Sequence, residues 1–282
     1  MRNKKNVVVL QIIILAVICF IGCENENNNP NMDFIYPLAI GNSWQYDLIF
    51  TIDYDSTATS NGLADTTYSS TGLVEIITNE IIFDSLEVFN LATTITEEGN
   101  LYRGNEYYNN DDYSLVSYGY QSPSMITPRN NEDSAFICFD DKKFNNVREI
   151  FDYLERGVVE IDYLRGDSIY YDPVKCLEYP LTEDNQWEYR ASNNPWRIEK
   201  TIIGQESIDV PAGQFNCWKI HWTFPESSWN DDIDFYDFIS PEGLVKRVIE
   251  CRNTEVIDEE LSFVGYCNIT EERYLTGYQI AD

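Results

Sequence analysis

Tyr36-Pro37-Leu38-Ala39-Ile40-Gly41-Asn42-Ser43-Trp44-Gln45-Tyr46-Asp47-Leu48-Ile49-Phe50-Thr51-Ile52-Asp53-Tyr54 decides the fold. From Trp44 onward the apolar residues Trp44, Tyr46, Leu48, Phe50, Ile52 and Tyr54 alternate with Gln45, Asp47, Ile49, Thr51 and Asp53. A period of two over this length is the signature of a half-buried β-strand. The same opening recurs as Tyr179-Pro180-Leu181-Thr182-Glu183-Asp184-Asn185-Gln186-Trp187-Glu188-Tyr189-Arg190. Both copies read Tyr-Pro-Leu-x-x-x-Asn-x-Trp-x-Tyr with identical spacing. A weaker echo follows, because Ile77, Glu80 and Phe89-Asn90 match Ile203, Glu206 and Phe215-Asn216. There the offset is 126 instead of 143, so the first copy is the longer one through Asp53–Thr71. That insert holds Asn61-Gly62, a strong hairpin-turn signal, and is expected to be a projecting hairpin or a mobile loop.

Further strands are predicted over Leu73–Thr78, Val88–Thr96, Ala135–Phe139, Val158–Leu164, Gly243–Ile249 and Leu261–Cys267. They are rich in the β-branched and aromatic residues that suit a pleated surface. Trp218, Ile220, Trp222 and Phe224 form another one-sided face, with Lys219, His221 and Thr223 opposite. One segment departs from this pattern. Phe144, Val147, Phe151 and Leu154 fall at helical spacing, which predicts a helix over 142–156, with Asp140 or Asp141 at its start and Gly157 at its end. The chain is therefore expected to be mainly all-β. It would form two tandem curved antiparallel sheets, or half-barrels, over 33–175 and 176–282, with one helix near 142–156.

The first 23 residues carry an address. Arg2, Lys4 and Lys5 precede the apolar run Val7–Ile21, and Gly22-Cys23 follows. A basic start, a short apolar run and a small residue before the cut make a secretory signal over 1–22. The run is shorter than the roughly 20 residues a spanning helix needs. The cysteine behind the small residue resembles the lipobox of bacterial lipoproteins, although Phe20 stands where leucine is usual. That resemblance implies a lipidated Cys23 and an anchor in a bacterial membrane, and the alternation of Glu and Asn after Cys23 favours the outer membrane or cell surface. Residues 23–32 contain Glu24-Asn25-Glu26-Asn27-Asn28-Asn29-Pro30-Asn31, which has nothing apolar to bury and reads as a flexible tether.

The formal charge is −29, and it becomes −32 once Arg2, Lys4 and Lys5 leave with the signal. Nucleic acid is an unsuitable partner for so acidic a body. Cys138, Cys176, Cys217, Cys251 and Cys267 remain in the body, an odd number that allows at most two disulfides. No pair has CxxC spacing, so zinc and thioredoxin-type chemistry lack support. Buried free thiols acting as small apolar groups are a sufficient reading.

The second copy continues through Val210-Pro211-Ala212-Gly213-Gln214-Phe215 and Gly243-Leu244-Val245-Lys246. With the Tyr-Pro-Leu and Trp-x-Tyr elements, this pattern resembles a group of largely uncharacterised bacterial lipoprotein domains. They are similar to the curved antiparallel half-barrels of the lipoprotein carrier class. The likeness covers 179–250 well and 36–95 in part. Phe83-Asp84-Ser85-Leu86-Glu87 replaces Val-Pro-Ala-Gly in the first copy, which has no Gly-Leu-Val-Lys. The resemblance implies a fold and brings no catalytic residues with it. The acyl-binding concave face of the carrier class is an implication of fold alone.

Candidate chemistry is sparse. His221 is the single histidine, and no Gly-x-Ser-x-Gly elbow accompanies it, so a nucleophile–base–acid set has no support. Asp231, Asp232, Asp234 and Asp237 could offer oxygen ligands to Ca²⁺, but their spacing is not that of an EF-hand. Tyr107, Tyr108 and Trp229, each near Asn or Asp, are the places where a glycan could stack. Arg165-Gly166-Asp167-Ser168 spells an adhesion tripeptide but also an ordinary hairpin turn. A paired-carboxylate hydrolase site cannot be chosen among 48 acids. The expectation is a non-catalytic, membrane-anchored envelope lipoprotein with a binding or structural role and no required cofactor. Its partner would be an envelope protein, a lipid or a glycan. The alternatives are a carrier or sensor of an apolar ligand in a half-barrel cavity, and a glycan-binding surface protein.

Overall fold

The computed structural model describes residues 34–82, 85–97, 99–125, 135–157, 173–191 and 196–281. Cys23 and its tether, Phe83-Asp84, the strand expected at Val158–Leu164 and Arg165-Gly166-Asp167-Ser168 lie outside the described residues. The strands are β1 (Ser43–Tyr54), β2 (Thr66–Ile82), β3 (Leu86–Glu97), β4 (Asn100–Asn110), β5 (Ser114–Met125), β6 (Ala135–Phe139) and β7 (Lys142–Phe144). They continue as β8 (Val174–Glu178), β9 (Gln186–Arg190), β10 (Ile198–Val210), β11 (Gly213–Thr223), β12 (Ile233–Ser240), β13 (Gly243–Asp258) and β14 (Phe263–Gln279). Among the described residues two α-helices interrupt them, α1 (Ser56–Ser60) and α2 (Val147–Arg156).

The mainly β, antiparallel class expected from the sequence is the class observed. The strands form one sheet in the order β8-β5-β4-β3-β2-β1-β14-β13-β12-β11-β10-β9, with β6 pairing to β13 and β7 to β6. Its two ends approach each other. Trp187 Nε1 on β9 donates to the Lys175 carbonyl on β8 at 2.9 Å, and Lys200 Nζ on β10 donates to the Cys176 carbonyl at 3.2 Å. The result is a nearly closed up-and-down barrel.

The expected division into 33–175 and 176–282 is corrected here. Phe34–Asp282 is one compact unit, and the boundary falls inside β8. The physical reason is the β1–β14 ladder, which runs from Ser43↔Gln279 to Tyr54↔Cys267 and joins the first strand of one copy to the last strand of the other. The repeat is nonetheless real in three dimensions. Gly41 N donates to Ile76 O and Ile76 N to Asn42 O, while Asp184 N donates to Ile202 O and Ile202 N to Asn185 O. These turns are equivalent at both offsets, 143 before the strand and 126 after it. The first tyrosines of the two copies touch, because Tyr36 N donates to Tyr179 Oη at 3.0 Å.

Alternation along β1 is as expected: Trp44, Tyr46, Leu48 and Phe50 are all buried. The insert is the outer end of the β1–β2 hairpin, from Asp47↔Thr71 to Ile52↔Thr66, but its connection is a helix and not an Asn-Gly turn. Asp55 caps α1 by accepting from Ala58 N, and Asn61-Gly62 ends that helix, with Gly62 at φ 95°. The helix expected over 142–156 starts later, at Val147. Asp140 and Asp141 have φ of 50° and 57° and turn the chain between β6 and β7, so neither is a cap. Asn146 does that work, accepting from Glu149 N, while Glu149 reaches back to Asn145 N. Gly157 ends the helix at φ 72°, as expected.

Half of α2 is buried and none of it is fully exposed. Val147, Ile150, Phe151 and Leu154 enter the main core, and Phe151 stacks on Phe50 of β1 at 6.4 Å. Arg148, Asp152, Glu155 and Arg156 share the other face by their helical spacing. This polar face meets strands of both copies. The helix thus lies across the concave side of the whole sheet, not on the first copy alone.

Candidate functional site

A hollow of about 200 Å³ separates the polar face of α2 from the barrel wall. The Trp-x-Tyr elements of both copies reach it through Tyr46 and Tyr189, the inward residues of β1 and β9. Tyr108 and Trp222 add further aromatic wall. Burial raises the phenols of Tyr46, Tyr108 and Tyr189 well above their ordinary value, so they are neutral donors.

Between these rings stands an ordered set of ion pairs. Arg148 Nη2 lies 2.9 Å from Glu97 Oε2 on β3, and Arg156 pairs with Glu106 on β4. Glu106 also accepts from Tyr108 Oη at 2.6 Å. Arg247 on β13 meets Asp237 on β12 through Nε at 2.6 Å and Nη2 at 3.1 Å, and reaches Glu155 of α2 through Nη1 at 3.2 Å. Asp237 takes a third bond from Trp222 Nε1 at 2.8 Å. Arg273 and Glu271, neighbours on β14, pair at 2.9 Å. Burial works against the Glu155 carboxylate, but the Arg247 and Arg156 guanidiniums outweigh it and hold the group down at about 2.

Two charged groups behave differently. Burial pushes Asp152 up to about 6, against the pull of Arg156 and Arg148. Burial likewise brings the Lys200 ammonium down to about 8. Its Nζ lies 3.6 Å from the Trp222 ring centre and 4.3 Å from that of Tyr189, so the aromatic faces carry part of its charge.

The residues singled out in the sequence do not come together. Asp237 faces the hollow and is only 3% exposed. Asp234 pairs with Arg252 at 2.5 Å, and Asp231 and Asp232 sit in an exposed 3-10 turn, Asn230–Asp232. Among the described residues no group of three or more His, Cys, Asp or Glu is placed to hold a metal ion. The four aspartates are therefore not one calcium loop, because strand alternation carries Asp237 inward and away from its neighbours.

The glycan platform is corrected as well. Tyr107 is 4% exposed and packs with Val88, while Tyr108 turns into the hollow. Trp229 is wedged among Phe139, Phe224 and Trp196 at ring distances of 4.9, 5.0 and 5.2 Å. Its indole Nε1 donates to Asp140 Oδ1 at 3.2 Å. His221 points away from the hollow, on the opposite face of β11 from Trp222, and stacks on Tyr236 at 4.7 Å. The five body cysteines are free.

Reasoning from the sequence missed Lys200, Arg247, Glu106 and the polar face of α2. A signal existed for Arg247. It falls in the inward register of Gly243, Val245, Ile249 and Cys251, all buried on β13.

No protein-family model matches the chain, and no curated protein does. Three solved structures are similar in shape at low identity. A "putative lipoprotein" of Parabacteroides distasonis ATCC 8503 is 15% identical, with 87% of this chain and 98% of that one covered and a TM-score of 0.37. A "putative exported protein" with a YmcC-like fold from Bacteroides fragilis NCTC 9343 is 10% identical, covering 88% and 100%, at 0.36. A beta-barrel-like protein of a domain of unknown function from Brucella abortus is 10% identical, covering 85% and 98%, at 0.29. Likeness at this level assigns no function to the chain.

Proposed function

We propose that the chain is an exported envelope lipoprotein, anchored through Cys23, whose barrel binds a small polar ligand and performs no chemistry on it. The observation that supports the binding role is the charged hollow itself. Buried ion pairs contribute little net stability, and apolar side chains of similar volume commonly do as well or better. A barrel with only a structural role would have filled this space with hydrocarbon. Instead α2 and the wall strands hold four arginines, a lysine and five carboxylates around an open volume.

A long acyl chain suits this site poorly. Pressing methylenes against Asp152 and Lys200 would strip water from both and give them no partner. A catalytic role lacks an imidazole, since His221 faces away. The thiol that faces the hollow, Cys176, is pushed up to about 11 by burial and is protonated at neutral pH.

Native mass spectrometry of the full chain, extracted from membranes in detergent, tests this reading. A bound species of low mass is expected, and it should leave on unfolding. An unliganded spectrum across gentle extractions would count against a binding role. Cys23→Ser should move the protein from the membrane to the soluble fraction; retention in the membrane would refute the anchor.

A further inference from the structure

Among the charged groups around the hollow, the arginines are spoken for. Arg148, Arg156, Arg247 and Arg273 each hold a carboxylate. Two groups of opposite sign are left over. Asp152 lies four residues from both Arg148 and Arg156 on α2, yet both guanidiniums extend past it to Glu97 and Glu106 on the wall. It makes no hydrogen bond or ion pair among the described residues. Lys200 stands on β10 and is 4% exposed. Its ammonium has three N–H donors and gives one to the Cys176 carbonyl at 3.2 Å. The rings of Trp222 and Tyr189 flank it, and no carboxylate lies within ion-pair distance. Both groups line the same hollow.

We infer that the hollow binds a compact zwitterion, whose cationic amine meets Asp152 and whose carboxylate or phosphate meets Lys200. The inference rests on reading the hollow as a binding site and names its ligand class. A simple anion would satisfy Lys200 and leave Asp152 stripped of water; a simple cation would do the reverse. An apolar guest would abandon both, and burial without a partner is costly for ionised groups. One molecule with both charges gives each buried group a partner and offsets the desolvation that now acts on both. Size narrows the class further. A hollow of about 200 Å³ falls below the roughly 300–1,000 Å³ of ordinary small-molecule sites. It has room for a free amino acid or a headgroup fragment, not for a peptide strand or an intact lipid.

Calorimetric titration of the detergent-extracted full chain tests this. The probes are glycine, 4-aminobutanoate and glycerophosphoethanolamine, with butanoate and butylamine as single-charge controls. At least one zwitterion is expected to bind about tenfold or more tightly than either control, since each charged hydrogen bond contributes that much. Asp152→Asn and Lys200→Met should each lower that affinity about tenfold, whereas Lys219→Met on the outer face should leave it unchanged. Preference for 4-aminobutanoate or glycine points to free amino acids, and preference for glycerophosphoethanolamine to a lipid headgroup. If the single-charge probes bind as well as the zwitterions, or Asp152→Asn leaves affinity intact, the inference falls while the binding reading stands. If nothing binds and the native mass spectrum shows no adduct, both fall.

Discussion

Replacing Arg247 by Met would expose what the buried charges cost. Arg247 supplies two of the three hydrogen bonds that Asp237 accepts, at 2.6 and 3.1 Å, and also the 3.2 Å contact to Glu155. Asp237 would keep only Trp222 Nε1 at 2.8 Å. Breaking a buried pair from one side costs about 3–5 kcal/mol, because the remaining charge stays desolvated. The surviving indole bond and the nearby Lys200 charge place Arg247→Met near the lower end, at about 3 kcal/mol. For a chain of this size that corresponds to roughly 6–12 °C in Tm. Removing both members of the pair in Asp237→Leu/Arg247→Met should recover part of the loss, about 1–2 kcal/mol, because Glu155 still lacks Arg247. The exposed pair Arg252–Asp234 is the control, with side chains 31% and 38% exposed, and Arg252→Met should cost less than about 1 kcal/mol. Equilibrium urea unfolding reads all four proteins, with unchanged m-values as the condition for comparing them. The reasoning is refuted if Arg247→Met is as stable as Arg252→Met, or if the double variant is no better than the single one.

Asp152→Asn should stabilise the barrel by about 3 kcal/mol at pH 7.5. The folded-state value of about 6 lies above the ordinary value of 3.8, so the cost of the carboxylate is fully present above pH 6 and fades as pH falls toward 4. Paired unfolding curves from pH 4 to 8 should show the two proteins converging at the acid end; a constant gap would contradict the assignment, which includes Arg148, Arg156, Glu155 and Glu271 as the charges felt by Asp152. Gly243→Ala should cost about 2–4 kcal/mol, since φ is 117° and a Cβ would lie 2.7 Å from Trp44 Nε1. Gly213→Ala at φ 135°, where the new Cβ meets nothing closer than 3.9 Å, should cost only about 1 kcal/mol in thermal melts. Cys217, Cys251 and Cys267 are buried and their thiols raised by burial, to about 12 for Cys217 and Cys267. They should resist a thiol reagent at pH 8 until denaturant is added; rapid labelling of all five body cysteines in the native protein would overturn their placement.

The strands were readable because each carries its own evidence of a buried face. Trp44, Tyr46, Leu48 and Phe50 alternate without a break, and Val210-Pro211-Ala212-Gly213 forms the tight turn its residues suit, with Val210 facing Gly213 across it. The helix was readable by period, but its start was not, because two acids in left-handed turns resemble caps. The pattern Asn146-x-x-Glu149 was the better signal. The hollow was hidden for a different reason. Its charged residues come from β3, β4, β10, β12, β13, β14 and α2, and on any one strand a single Lys or Asp reads as solvent-facing. Only closure of the sheet turns those positions inward. Asp237 shows this most plainly, since its acidic neighbours Asp231, Asp232 and Asp234 suggested a loop.

The pairing of β1 with β14 bears on how the protein comes to be folded. Along the sheet β14 lies at the centre, between β1 and β13, although it comes after all the other described strands in sequence. The edge of β1 opposite β2 stays bare until β14 has been made and delivered. Pairing between such distant segments slows folding, because a long loop must close before any contact rewards it. On the export route proposed above, this delay keeps the chain threadable while it crosses a membrane. It also leaves a long strand edge open to foreign pairing in the interval. Loss of the last 20 or so residues would therefore split the sheet through its middle rather than fray one end.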